Sequence, residues 1–285
     1  MITRNDAIIK LKRDLRIRRY SIGTTYRYCY VIEKFLDHIG NKKSIEDLNE
    51  YDAIEYLQML TDERHYKPSS YNNINAILKF FLETTLEKNV GYKRMPNAKL
   101  EVRIKMVPDK DTILKIIDNT HNLKHKCWYC LAYGSGLRTC EIAKLKMKNI
   151  DSKNMKITVL GKGNKERITV LPKMTLNYLK EYVIKNNIRG RDTYLFKGQK
   201  TEYVVESTVS RAFRNVINEL GLDKKMTIHS LRRSFATHLL RSGTSLEIVK
   251  ELMGHNSITT TMGYAQVVYK EKEIKNPLDG ESNEL

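Results

Sequence analysis

The chain has 285 residues, long enough for two domains of ordinary size. Its 51 Lys and Arg against 33 Asp and Glu give a net charge of +18, which points to a polyanionic partner, nucleic acid or an anionic membrane surface. No apolar stretch reaches the length of a membrane span, the charged segment Met1–Tyr20 lacks the apolar core of a secretion signal, and four cysteines in so long a chain form no disulfide framework, so a reducing cytoplasm is the expected setting.

The first 90 residues read as a small bundle of four helices. Asn5 or Asp6 can cap a first helix running to Arg18. Ser21 can cap a second, with Tyr26, Tyr30, Val31, Phe35, Leu36 and Ile39 at helical spacing and Gly40 as its stop. A third is expected over Asp52–Glu63, with Ile54, Leu57 and Leu60 on one face. A fourth begins after Pro68 and buries Ile74, Ile77, Leu78, Phe81 and Leu82.

Residues 91–108 change character. Gly91, Pro96 and Pro108 stand among Lys93, Arg94, Lys99, Arg103 and Lys105, the composition of a basic linker. Its charge suits a strand lying along a phosphate backbone, and suits a solvated surface loop equally well.

From Asp109 onward the pattern is mixed. Helices are expected at Thr112–Asn119 and Lys124–Tyr133. Two β-branched runs follow, "MKITVL" and "ERITVL", joined by "GKGNK"; together they read as a hairpin with a glycine-rich basic loop. Further helices are expected near 173–186, 206–220, 230–242 and 246–253, and the polar stretch from Lys270, with Pro277, reads as a tail. The cluster His121, His125, Cys127 and Cys130 invites a zinc reading, but it falls on a helix whose Cys127, Trp128 and Leu131 would pack a core, so no metal site is assigned.

Five short segments carry reactive residue types: "SGLRTCEI" with Arg138 and Glu141, "LGKGNKER" with Lys162, "HSLRRSFATHLL" with His229 and Arg232, "ELMGHNS" with His255, and "TTTMGYAQ" with Tyr264. Each alone has a plainer reading: a surface ion pair, a solvated loop lysine, a helix stop. Together they suit phosphoryl transfer. Two arginines offer forked donors to the non-bridging oxygens of a phosphodiester, whose transition state gains negative charge. His229 and Arg232, three apart on a helix, project from one face. Histidines and a lysine can move protons, and a tyrosine hydroxyl can attack phosphorus. No tight carboxylate cluster of the kind a two-metal nuclease needs is present in the sequence.

In this order, Arg, Lys, His-x-x-Arg, Gly-His, Tyr, the segments resemble the tyrosine recombinase (phage integrase) family, most nearly its short Xer-like members. The resemblance covers nearly the whole chain, with 24 residues from Arg138 to Lys162 and 35 from His229 to Tyr264. It implies a mainly α fold with a small antiparallel β-sheet: a helical core-binding domain over 1–90, the linker, a mixed α+β catalytic domain over 109–269, and a C-terminal tail over 270–285, which in the family docks on a neighbouring protomer and by its composition reads equally as a disordered end. The two domains would form a C-shaped clamp on DNA.

The resemblance also implies roles. Tyr264 would be the nucleophile forming a 3′-phosphotyrosyl link, Arg138 and Arg232 the phosphate clamp, and Lys162 the donor to the leaving 5′-oxygen. His229 would serve proton transfer, His255 would donate to a phosphate oxygen, and Glu141 would support Arg138. No cofactor, metal or ATP is implied. The partners would be double-stranded DNA recombination sites and further protomers, a homotetramer or a heterotetramer with a partner recombinase, with strands exchanged through a Holliday junction. Ser135 stands where many members have Thr, and Arg233 where many have His. The alternatives are a type IB topoisomerase-like enzyme and a non-enzymatic DNA-binding protein; a tyrosine relaxase would need a metal-binding His cluster that the sequence lacks.

Overall fold

The computed structural model describes residues 2–90, 94–100, 106–161, 166–254 and Met262. The chain divides into two compact units, Met1–Arg103 and Ile104–Leu285, each with its own core.

The first unit is the expected bundle. Helix α1 spans Arg4–Ile17, α2 Ile22–Ile39, α3 Glu50–Asp62 and α4 Pro68–Phe80. The first cap differs from expectation: Thr3 is the N-cap and Asp6 closes a capping box on it, so the carboxylate that reads as a cap sits three residues inside the helix. Ser21 caps α2 as expected, and Gly40 ends it with φ 58°. Pro68 is the first residue of α4, where its missing N–H costs nothing. A π-helical turn, Phe81–Thr85, follows α4 and turns Phe81 and Leu82 into the core beside Leu11, Leu15, Ile32, Phe35, Leu57 and Leu78.

The expected linker is partly anchored. Asn75, fully buried, donates to the carbonyls of Met95 and Pro96, and Asn72 exchanges two hydrogen bonds with Ala98, so residues 95–98 belong to the first unit. Composition alone suits a strand along a phosphate backbone and a solvated loop equally; at residues 95–98 two asparagines from α4 supply the hydrogen bonds that a free loop would take from water.

The second unit is built around helix α6, Leu123–Gly134. Residues Cys127–Ala132 are six consecutive buried positions, so α6 is apolar all round and its neighbours pack on every side. These neighbours include α5 (Lys110–Asp118), α7 (Thr139–Ala143), α8 (Lys173–Lys185), α9 (Glu206–Glu219) and α10 (Ile228–Arg241). Helix α11, Leu246–Met253, lies against α10. A three-stranded antiparallel sheet, order β1 (Ile150–Asp151), β2 (Lys156–Leu160), β3 (Glu166–Val170), contains the expected hairpin.

The pleat of β3 is reversed from what its composition suggests. Register pairs Val159 with Arg167 and Ile157 with Thr169, so Arg167 and Thr169 share the inner face with buried Ile157 and Val159. Ile168 and Val170 are on the solvent side. Among the described residues no helix is long and apolar enough to cross a membrane.

Candidate active site

The turn after α6 delivers Arg138. Gly136 has φ 64°, and a Cβ there would lie 2.4 Å from the Phe235 ring of α10, so the chain passes this point only as glycine. Three residues on, Glu141 of α7 reaches back: its carboxylate accepts from the Arg138 backbone N–H (2.7 Å) and from the Arg138 guanidinium (2.8 Å).

The same carboxylate receives two further arginines. Arg167 of β3 grips it through both terminal nitrogens, at 2.6 and 2.8 Å, in the forked geometry of an arginine–carboxylate pair. Arg232 of α10 stands 3.7 Å away. Glu141, Arg167 and Arg232 are buried, with side-chain exposures of 4, 8 and 6%, whereas Arg138 keeps 30%. Burial pushes the Glu141 carboxyl up, but the bonds and charge of Arg167, the Arg138 N–H and the charge of Arg232 outweigh it and bring the carboxyl down to about 2. It is therefore ionised at neutral pH.

The three guanidiniums also share one helix end. Arg167 Nε donates to the Leu252 carbonyl (2.9 Å), Arg232 to the Met253 carbonyl, and Arg138 to the Gly254 carbonyl (3.1 Å). Consecutive carbonyls at the C-terminus of α11, unpaired within the helix, thus each receive one arginine. Gly254 closes that helix in the left-handed region, φ 59°, and a Cβ there would lie 2.6 Å from Arg167 Cδ. Arg232 donates a second bond to the Gly136 carbonyl.

His229 sits in the first turn of α10, one turn from Arg232. Desolvation by its surroundings, then the positive charges of Arg232 and Arg233, hold its imidazole below the ordinary histidine value, and so neutral at pH 7. Arg233, outside the expected set, donates to the Met106 carbonyl and to Ser230 Oγ, and Ser234 Oγ donates to the Pro108 carbonyl. These bonds fix the start of the second unit onto α10.

Of the expected site residues, Arg138, Glu141, Arg232 and His229 are gathered at one place. Lys162, His255 and Tyr264 lie outside the described residues. Arg167 is a member of this cluster outside the expected set: it stands in the quoted "LGKGNKER" segment, and its signal is a charged side chain at an inward position of a strand. Cys127 and Cys130 of the weighed zinc cluster are buried core thiols, the latter pushed up to about 12 by burial, and His125 stacks on Trp128. No group of three or more potential metal ligands occurs among the described residues.

Among the described residues, three guanidiniums meet one carboxylate in a largely water-excluded site. Such a setting suits an incoming phosphodiester, whose negative charge grows in the transition state.

Comparison with known proteins places these features in a lineage. The profile described as the phage integrase family matches residues 108–271, and that described as the phage integrase N-terminal SAM-like domain matches residues 8–92. A tyrosine recombinase of Thermosipho africanus is 29% identical over 281 residues, covering 94% of this chain and 97% of its own. The tyrosine recombinase XerA of Pyrococcus horikoshii is 27% identical over 273 residues, covering 94 and 92%. Among solved structures, a lambda integrase fragment, crystallised as a dimer bound to a COC′ core site, has the same fold: TM-score 0.73 over 96% of this chain and 99% of that one, at 20% identity.

Proposed function

The chain belongs to the phage integrase family and is a tyrosine-type site-specific DNA recombinase, and on that premise we propose how its residues divide the work. Tyr264 attacks the scissile phosphate, forming a 3′-phosphotyrosyl bond as the 5′-oxygen departs. Arg138 and Arg232 neutralise the non-bridging oxygens, and the buried Glu141 carboxylate holds both in place. Lys162 protonates the leaving 5′-oxygen. His229, neutral at pH 7, takes the tyrosine proton and returns it on resealing, and His255 donates to a phosphate oxygen. The covalent link conserves the energy of the broken bond, so resealing needs neither ATP nor metal.

The first unit and the basic segment after it bind the DNA flanking the cut, and the second unit carries the chemistry. Four protomers on two sites exchange strands in pairs through a Holliday junction, with the tail from Lys270 docking on a neighbour. Action on intracellular DNA fits a cytoplasmic enzyme.

The convergence of Arg138 and Arg232 on Glu141, beside a neutral His229, carries this reading. A nicked suicide substrate tests it, because loss of the short cleaved fragment traps the covalent complex. Wild type should accumulate a protein–DNA adduct and Tyr264→Phe none. Absence of an adduct with wild type, or its persistence in the variant, overturns the mechanism. Joining of two sites in trans separates recombination from relaxation by a topoisomerase-like enzyme.

A further inference from the structure

We infer that Arg167 is a positioning residue for the cleavage reaction, holding Glu141 and the end of α11 so that Arg138 and Arg232 face the scissile phosphate. The inference rests on the recombinase reading and extends it to a residue outside the expected set. Three observations carry it.

First, every hydrogen bond recorded for the Arg167 side chain among the described residues is made inside the protein. Both terminal nitrogens go to Glu141 and Nε goes to the Leu252 carbonyl, in a buried setting. With three of its five N–H donors on those partners and its side chain 8% exposed, Arg167 acts on the reaction through its partners. Second, those partners are the partners of the phosphate-clamping pair. Glu141 also meets Arg138 and Arg232, and the carbonyls held by the three arginines are consecutive in the chain. Without Arg167, the carboxylate would be free to swing toward Arg138 and Arg232 and to occupy the charge that the phosphate should meet. Third, the packing around Arg167 is specific. Its Cδ lies 2.6 Å from where a Cβ of residue 254 would stand, and its strand is tied to the Arg138 turn by Thr169 Oγ1 donating to the Ser135 carbonyl at 2.8 Å. A lysine would keep the charge but lose the fork and the Nε bond.

Single-turnover adduct formation at saturating DNA, with DNA affinity measured separately, tests the inference on Arg167→Met and Arg167→Lys. Both should bind the uncleaved site within about three-fold of wild type, since Arg167 does not contact it. Arg167→Met should form adduct about 10- to 100-fold more slowly, the usual cost of losing an outer partner of a reactive group. Arg167→Lys, the variant more readily accommodated, should recover only part of the rate.

The discriminating readout is a substrate whose scissile phosphate is a methylphosphonate. It lacks the negative charge that the arginine pair neutralises, so a defect acting through that pair should shrink by about five-fold or more on it. If wild type forms adduct and Arg167→Met or Arg167→Lys matches its rate, the inference fails alone. It fails too if either variant's defect is the same on both substrates, which is the mark of a general loss of structure. If wild type itself forms no adduct, the recombinase mechanism fails and takes the inference with it.

Discussion

At the residue scale, Glu141 decides the most. Its buried carboxylate meets Arg138, Arg167 and Arg232 together. Glu141→Gln keeps the shape and removes the charge, leaving buried guanidiniums opposed to one another. We expect a loss of about 3 kcal/mol in stability by urea denaturation, the scale for breaking a buried ion pair from one side, and slow adduct formation.

The carboxyl sits at about 2 in the folded protein against an ordinary value of 4.5. A depressed carboxylate contributes stability that is fully present above its unfolded value and is lost as pH falls through the folded one. Wild type should therefore lose stability between about pH 4.5 and 2 more steeply than Glu141→Gln, measured by denaturant midpoints across that range. His229 titrates in the opposite functional sense. Its imidazole is held below 6.5, so adduct formation should stay flat through pH 7 and fall on an acid limb whose midpoint lies below 6.5. Replacement by Gln should abolish that limb; a limb that survives assigns it to another group.

At the scale of elements, the glycine that closes α11 gives a clean comparison. Gly254 and Gly221 both have φ near 60°, 59° and 62° respectively. An added Cβ meets Arg167 Cδ at 2.6 Å at the first position and nothing within 4 Å at the second. Gly221→Ala should cost about 1–2 kcal/mol, the left-handed backbone penalty. Gly254→Ala should cost about 1–3 kcal/mol beyond that, from overpacking, and should alone slow cleavage. Equal effects on both counts would show that the Arg167 contact is of no consequence.

The legibility of the fold follows the same scale. Amphipathic helices longer than two turns are plain in the sequence, and α11 lies where its spacing puts it, at Leu246–Met253. Helix α7, with five residues, and β1, with two, are too short to show a period. The start of α1 is misread because Thr3, Asn5 and Asp6 are all competent caps, and only the reciprocal Thr3–Asp6 bonds choose among them. Arg138, Glu141, His229 and Arg232 are legible because the chemistry dictates residue type and order. Arg167 is not, because its role depends on strand register, which one-dimensional spacing does not determine.

At the scale of the whole molecule, a net charge of +18 is spread as +5 over residues 1–100 and +13 over the remainder. DNA affinity should fall steeply with salt, with a log–log slope set by the phosphates contacted. The two units have separate cores, so residues 104–285 alone should unfold cooperatively. That fragment should bind the recombination site more weakly and with a shallower salt slope than the full chain, each lost phosphate contact lowering the slope by about 0.9. An unchanged slope would remove the first unit from the DNA-contacting surface.

The gathering of three guanidiniums around Glu141 has a further, practical consequence. Small tetrahedral oxyanions share the charge and shape of the phosphate that Arg138 and Arg232 are proposed to clamp. Sulfate or inorganic phosphate should raise the melting temperature by mass action on the folded state and inhibit cleavage over the same concentration range. Chloride at matched ionic strength should do less of either. The buffer that best preserves the purified enzyme would then be one in which it works least well.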